Sequence, residues 1–405
     1  MKENINKIEL LIKNKKFDEV LDYLNNSNKK DFKEEQYNFI KGFSYLNLNN
    51  YENAIKYFSL AIKIDKKNPT IYFYRGLTYS KINEYKKAIE DYNKIILLKP
   101  NSAEIYNNLA QFYYVSGNNE KSIEKYLKSI ELNKNEIKSY IGLLWVLSKT
   151  NNFRSNESKI LSAHKDIKNI HFNYSTNTLI EDSQISKFLD EINKIIEIKL
   201  INFDLNITQT YREEKIAPNC NRHKSIFNKV QIIPKYCFGC YKIQIDLKNV
   251  LELIKLHIVF DNINFQNQNY RKCMIEIRPN ISGKYKGFIF CESIKEAEII
   301  LKKLKIILSK NLKDEFNLKI KRGCSEYYEK YPSYNDLSKN ALKYNSKWNI
   351  YENEFDKKNP NLIFKKNPNP TLKGTSLFDA IVFKNWLSFA KKNGDESWKQ
   401  LKKIL

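Results

Sequence analysis

The 405-residue chain is poor in the residues from which catalytic and metal sites are most often built, with 6 Cys and 4 His. It also lacks a long apolar stretch. No run approaches the roughly 18 apolar residues that a membrane-spanning helix needs. The start, MKENINKIELLIKNKK, is polar from its second residue and has no apolar core of the kind a secretory leader carries. These absences predict a cytoplasmic chain without a membrane span. Few cysteines in a chain this long exclude a disulfide framework and fit a reducing compartment, so free or metal-bound thiols are expected. No Gly-rich phosphate loop, His-x-x-x-His pair, Gly-x-Ser-x-Gly elbow or paired-acid motif occurs, so no enzyme class is specified. Length alone predicts two or three domains, and 42% hydrophobic composition is enough to fill their cores.

Acidic residues are the minority, 46 Asp+Glu against 70 Lys+Arg, giving a net charge of +24. Such an excess invites a polyanion, although a Lys-rich surface can also arise by compositional drift. Its distribution leans to the middle: residues 201–350 hold 27 basic and 15 acidic side chains, residues 1–150 hold 25 and 18. Arginine is scarce, with seven in all. Arg212, Arg222, Arg271, Arg278 and Arg322 share the region that contains all six cysteines. The planar guanidinium does what an ammonium cannot, so these positions deserve separate scrutiny.

The first half repeats at a period of 34. One period apart stand Phe17, Tyr51 and Tyr85; Val20, Ala54, Ala88 and Ser122; Leu24, Phe58, Tyr92 and Tyr126; Gly42, Gly76 and Ala110; Tyr45, Tyr79 and Tyr113. Small residues in two columns let paired helices approach, and rings in the others fill the space between hairpins. These columns resemble the tetratricopeptide repeat, most clearly in PTIYFYRGLTYSKINEYKKAIEDYNKIILLKP, over residues 35–136 within an array expected at 1–165. The resemblance implies a helical-hairpin solenoid that grips another polypeptide. At positions that face the groove in such arrays this chain has Phe39, Phe43, Phe73, Leu77, Asn107 and Gln111. The same Phe residues are equally suited to packing inside the array. The Lys and Asn clamp for acidic C-terminal peptides is not matched.

A helical junction is expected over 166–215, centred on SQISKFLDEINKIIEIKL, followed by an α/β domain over 216–335. From Tyr241 the pattern reads strand, helix, strand, strand, helix, strand: YKIQIDL, NVLELIKLHIVF, RKCMIEIRP, YKGFIFC, SIKEAEIILKKLKIIL and FNLKIKRGC. That βαββαβ order predicts a ferredoxin-like sandwich. Its helix-covered face takes Ile243, Ile245, Cys273, Ile275, Ile277, Ile289, Leu318 and Ile320. The open face takes Lys242, Gln244, Met274, Glu276, Arg278, Lys286, Phe288, Phe290, Lys319 and Lys321. SGKYKGFIFCESIKEAEIIL resembles the third strand and following helix of an RNA-recognition motif, with Phe288 and Phe290 at its stacking positions and Lys286 and Gly287 at its basic-Gly opening. Gln244 and Ser293 depart from it. The resemblance implies RNA or single-stranded nucleic-acid binding. The alternative is that Tyr327, Tyr328, Tyr331 and Tyr334, or the repeat array, cover this face. Arg278 and Arg322, at two strand ends, form a candidate anion site or cap the structure.

Cys220-x-x-His223 and Cys237-x-x-Cys240 fall within one short span. Four N and S donors suit tetrahedral zinc in a structural knuckle, with Gly239 relieving the turn. Reduced metal-free turns and a redox or iron–sulfur role are the other readings. Cys273 and Cys291 sit on the apolar side of their strands as small buried hydrophobes. Cys324, beside Arg322 and Gly323, is the one nucleophile candidate, for a thiol enzyme acting on a partner held by the repeats. Residues 336–405 read as a Pro/Asn/Lys-rich loop and two amphipathic helices, which either close a domain or lie on a membrane surface. The expectation is therefore α + α/β: a partner-binding repeat array joined to a basic, zinc-stapled domain.

Overall fold

The computed structural model describes every residue except 1, 152, 154–157, 201–204, 214–218, 325, 339, 364–369 and 402–405. The chain forms two compact units, one of residues Met1–Leu143 and Asn353–Lys365, the other of Leu144–Glu352 and Lys366–Leu405. A short later segment, Asn353–Lys365, thus groups with the N-terminal unit.

The first unit is built of helical hairpins: α1 (Lys2–Lys13) with α2 (Phe17–Asn26), α3 (Glu34–Asn47) with α4 (Tyr51–Ile64), α5 (Pro69–Lys81) with α6 (Tyr85–Leu98), and α7 (Ala103–Val115) with α8 (Asn119–Leu132), followed by α9 (Ile137–Leu147), whose residues from Leu144 on fall in the second unit. The small columns are where helices touch. Ala54, Ala88 and Ser122 are fully buried, and a Cβ at Gly76 would meet the Tyr92 ring at 2.8 Å. Every hairpin turns the same way. Lys15, Asn49, Asn83 and Gly117, one period apart, have φ of 57°, 59°, 63° and 87°. In each case the next amide donates to a carbonyl five residues back: Lys16 to Leu11, Asn50 to Tyr45, Glu84 to Tyr79 and Asn118 to Tyr113. This closure satisfies orphan carbonyls at a helix end and needs a residue that tolerates the left-handed region. Asn49 and Asn83 are further held by the Tyr51 and Tyr85 hydroxyls, each at 2.8 Å. Arg75 spans α5 and α6 with a two-pronged bond to Asp91 at 2.9 and 2.6 Å, and donates to Ser59 at 3.0 Å.

The second unit opens with α10 (Lys159–Lys168), α11 (Asp182–Lys199), strand β1 (Gln209–Arg212), α12 (Cys220–Val230) and α13 (Lys235–Gly239). Then follow β2 (Tyr241–Leu247), α14 (Val250–Asn262), β3 (Arg271–Ile275), β4 (Tyr285–Cys291), α15 (Ile294–Asn311), β5 (Phe316–Arg322), α16 (Trp348–Lys358), whose residues from Asn353 on fall in the first unit, and α17 (Leu377–Lys392). Five strands form one antiparallel sheet in the order β1-β3-β4-β2-β5. Helices α14 and α15 cover one face, where Ile243, Ile245, Cys273, Ile275 and Ile289 are buried as alternation requires. Gly287 lets α14 lie close, since a Cβ there would fall 2.3 Å from Leu256. Ile277 does not join this face. It lies beyond the end of β3 and is 66% exposed.

Helix α14 is buried at every position from Val250 to Phe260, so the polar side chains it carries need partners inside the fold. Its polar side chains are paired: Lys255 reaches Asp182 at 2.6 Å and Glu252 at 2.8 Å. Arg212, at the end of β1, reaches Asp261 of α14 at 2.5 Å, Asp379 of α17 at 3.2 Å and His257 at 2.9 Å. His257 also meets the Thr210 hydroxyl at 2.9 Å. Helix α17 closes this core with Phe383 and Trp386, the Trp386 indole donating to the Thr208 carbonyl at 2.8 Å. Its apolar face is thus spent inside the fold, which overturns the membrane-surface reading for this helix. The second expected C-terminal helix is a short 3-10 turn over Glu396–Leu401, and residues 402–405 lie outside the described residues.

Burial, and then the Arg212 guanidinium, hold His257 down at about 4 from 6.5. Burial, and then Lys168, do the same for His164. Both are neutral in the fold yet titrate near 6.5 when unfolded, so their stabilisation is complete above pH 6.5 and is lost as pH falls towards 4. The unfolding free energy measured in urea should fall across that window, by on the order of 3 kcal/mol per histidine, and the midpoint with it. Asp379→Asn should cost about 3–5 kcal/mol by leaving Arg212 short of a counter-charge. A midpoint flat from pH 7 to 4 would contradict the first expectation.

Candidate functional site

Three groups of side chains are candidates: the aromatic positions of the array, the thiols, and the uncovered face of the sheet. In the array, Phe39 and Phe43 stack at 6.3 Å, and Tyr74 meets them edge-on at 5.6 and 5.2 Å. Phe73 packs on Tyr74 and Tyr92 at 5.3 and 5.7 Å, and Leu77 joins the same cluster from α5. Phe39, Phe43, Phe73, Tyr74 and Leu77 are half-buried, so these side chains both pack and present a surface, whereas Tyr92 is buried. Asn107 differs from the expectation. It is 4% exposed and accepts from the Ser139 hydroxyl at 3.1 Å, a structural bond that takes it out of any groove. Gln111 is exposed. Tyr74 is the residue that sequence reasoning missed; it lies next to Phe73 in a helix whose neighbouring positions were read by family column alone.

The thiols are drawn together from distant parts of the chain. Cys220 starts α12, capped by the Asn219 side chain, and Cys237 lies within α13, whose C-cap is Cys240. Both pairs therefore sit on helices and not in the tight turns expected, and Gly239 has no left-handed φ to relieve. Strand β5 runs beside β2 with Arg322 opposite Tyr241. This register carries Gly323 past Cys240, where a Cβ would fall 2.3 Å from the Cys240 sulfur, and delivers Cys324 to the thiols. Cys220 is hydrogen-bonded to Cys324 and His223, and Cys324 to Cys237. Cys237 also contacts the Tyr327 hydroxyl at 3.4 Å. Tyr327 and Tyr334, fully buried, pack with Ile233, Cys237 and Cys324 into a small core of their own, so this tail does not cover the sheet as one reading had it. His223 is buried and stacks on Tyr236 at 5.2 Å.

These surroundings keep the thiols protonated. The bond with Cys324, then burial, push Cys220 up, and burial pushes Cys240 up to about 12. At Cys324 the bond from Cys220 lowers the value, but the bond to Cys237 and burial outweigh it, giving about 12. A nucleophilic thiolate at Cys324 is therefore not favoured, because it is 8% exposed and its burial and the bond to Cys237 act against ionisation. Among the described residues no group of three or more His, Cys, Asp and Glu is arranged to hold a metal ion. The donor chemistry nonetheless suits a soft ion, with four sulfurs and one imidazole in one small region.

On the uncovered face, most of the expected cations are already engaged. Arg278 is bound to Glu276 at 2.8 Å, and Lys286 lies 3.5 Å from the same carboxylate. Lys319 pairs with Asp246 at 2.7 Å. Arg322 is buried and donates to the carbonyls of Phe238 and Tyr334 and to the Tyr241 hydroxyl. It cannot share an anion with Arg278, because β3 and β5 are separated by β4 and β2. Phe288 is 8% exposed, with the ammonium groups of Lys242 and Lys272 at 5.5 and 5.2 Å from its ring centre. No ring face is left there for a base. Phe290 is half-buried against Tyr270 at 5.3 Å. Lys272 was absent from the expected face, although the alternation that places Met274 there places it too.

Models of the tetratricopeptide repeat match residues 69–102 and 103–136, and a TPR repeat model matches 42–83. The N-terminal part of the chain is therefore a tetratricopeptide-repeat region. No curated protein matches the chain. Among solved structures it is similar to "MamA 41-end from Desulfovibrio magneticus RS-1", at 23% identity over 36% of this chain and 82% of that one, with a TM-score of 0.34. It is also similar to YrrB, described as "a TPR protein with an unusual peptide-binding site", at 14% identity over 34% and 71%, TM-score 0.32. A third is the Yersinia enterocolitica type III secretion chaperone SycD in complex with a peptide of the translocator YopD, at 15% identity over 27% and 90%, TM-score 0.27.

A thiol at about 12 has roughly a thousandth of the neutral-pH thiolate of one at 9.0. In the unmodified chain, Cys324, located by mass mapping of the labelled peptide, should therefore react with iodoacetamide at pH 7.5 at least about a hundredfold more slowly than glutathione. Stoichiometric labelling within minutes would restore the nucleophile reading.

Proposed function

We propose that this protein is a cytoplasmic interaction scaffold, in which the tetratricopeptide array takes up a segment of another polypeptide and the basic sheet unit acts as its effector. The match of repeat models over residues 42–136 carries this reading. Stacked hairpins of this family present an extended surface to a partner chain. The half-buried rings of Phe39, Phe43, Phe73 and Tyr74 supply what a docking segment needs at its centre, large rigid apolar surface that loses little entropy on binding. The partner is accordingly a peptide with apolar or aromatic anchors, and not an acidic tail. In this reading the effector unit is a ferredoxin-like βαββαβ sandwich with β1 added at its edge.

Zinc is the proposed staple of that unit. Cys220, Cys237 and Cys240 are its ligands in every version of the reading, with His223 as the fourth by sequence spacing and Cys324 as the fourth by its bonds to Cys220 and Cys237. A bound zinc would keep the thiolates deprotonated and cross-link α12, α13 and β5, a structural role that leaves no open position for catalysis.

The array is tested by selecting peptides from a displayed random library on the full chain. Peptides with aromatic or aliphatic anchors should be enriched, and Phe39→Ala combined with Phe43→Ala should weaken them at least about tenfold while circular dichroism is unchanged. No enrichment, or equal binding by the double variant, would remove the reading. Zinc is tested by elemental mass spectrometry on protein purified without added metal. One zinc per chain is expected, lost in Cys237→Ser with Cys240→Ser; retention in Cys324→Ser but not His223→Gln would select the imidazole as fourth ligand. Iron, or no metal, would overturn it.

A further inference from the structure

The uncovered face of the sheet carries an imbalance that its own carboxylates do not relieve. Glu276 is committed to Arg278 and Lys286, Asp246 to Lys319 and to the Gln244 amide at 2.6 Å, and Glu326 to Lys224 at 2.7 Å. Three lysines remain. Lys242 on β2 and Lys272 on β3 both lean over the Phe288 ring of the strand between them. Lys321 on β5 stands directly opposite Lys242 in the register. Among the described residues none of the three has a carboxylate within ion-pair distance, and the one bond among them is from Lys242 to the Gly323 carbonyl at 2.9 Å. Lys242 and Lys272 are half-buried. Burial, and then the charge of Lys242, push the Lys272 ammonium down from its ordinary value.

Two half-buried ammonium groups over one ring repel each other and have lost part of their hydration, a cost that a shared counter-ion removes. The ring stabilises each cation only weakly by comparison. Regular strands fix the positions of both stems, so the arrangement is pre-organised and does not depend on a loop closing.

We infer that Lys242 and Lys272 form a binding site for the phosphoryl group of a small ligand, seated over Phe288 on the uncovered face of the sheet, with Lys321 beside Lys242 adding positive charge from β5. This site is independent of what the repeat array binds. A dianionic phosphoryl group accepts from several ammonium donors at once, which suits two lysines that reach over one ring from the strands on either side of it. A nucleic acid is the poorer occupant. Phe288 and Gln244 are 8% and 6% exposed, so neither a base-stacking ring nor a reading amide is offered along the centre of the face.

The test is calorimetric titration of the full-length protein with inorganic phosphate, with glycerol 3-phosphate and with a single-stranded oligonucleotide. One phosphate or phosphate ester per chain is expected, competing for one site. Lys242→Met and Lys272→Met should each weaken it about tenfold, the loss of one charge-assisted bond, while Lys305→Met on the exposed side of α15 should not. Tighter binding of the ester than of phosphate identifies a phosphorylated metabolite, and equal binding identifies phosphate itself; both support the site. Because the methionine variants relieve repulsion, their melting temperature without anion should equal or exceed that of the unmodified protein, and the rise with added phosphate should vanish. No binding at millimolar phosphate, or unchanged binding in both variants, would overturn the site. So would tight, steeply salt-dependent oligonucleotide binding that phosphate does not compete away.

Discussion

One guanidinium organises the second unit. Arg212 ends an edge strand, yet it is buried and joins three elements through Asp261 and His257 of α14 and Asp379 of α17. Burial alone would raise the Asp379 carboxyl, but Arg212 and then His257 hold it at about 2. The cluster is therefore charged where it must be and neutral where it can be. Packing follows from it: with α14 tied to β1 on one side and α17 on another, this buried helix is held between sheet and helix. Charge pairs of this kind add little net stability over apolar replacements, but they penalise any arrangement that separates their members. The uniqueness of the packing, more than its strength, is what Arg212 contributes.

How much of this could be read in advance depended on whether the signal was local. The repeat columns were legible because a contact such as Gly76 on Tyr92 recurs every 34 residues, so each copy corroborates the next. Strands β2 to β5 were legible because alternation puts Ile243, Ile245 and Ile289 on one face. Strand β1 was not, since a four-residue edge strand whose buried positions are Thr210 and Arg212 carries no apolar alternation. Helices α12 and α16 were missed for a related reason: each is polar along most of its length and is held by tertiary bonds, such as that from Arg222 to Glu352.

The candidate sites show the same limit. Spacing within the chain put Cys220, His223, Cys237 and Cys240 together, and it left out Cys324, which arrives only because β5 pairs with β2. The basic face was anticipated as a set of cations, whereas the structure separates those that carboxylates neutralise from those left over. That separation is a property of register. Lys319 and Lys321 are two residues apart on one strand, and only the first finds an acid, Asp246, within reach. No composition count distinguishes them, which is why a net charge of +24 says less about partners than the placement of three lysines.

The four left-handed turns of the array have a further consequence. Because Lys15, Asn49, Asn83 and Gly117 close their hairpins by the same hydrogen bond at the same spacing, the element that can be copied or deleted without reshaping its surroundings is a block of 34 residues, and nothing shorter. A one-residue slip within a hairpin would misplace a backbone conformation as well as a side chain. Descendants of this gene are thus free to lengthen or shorten their reach in whole steps, while the internal phase of each step is held against drift.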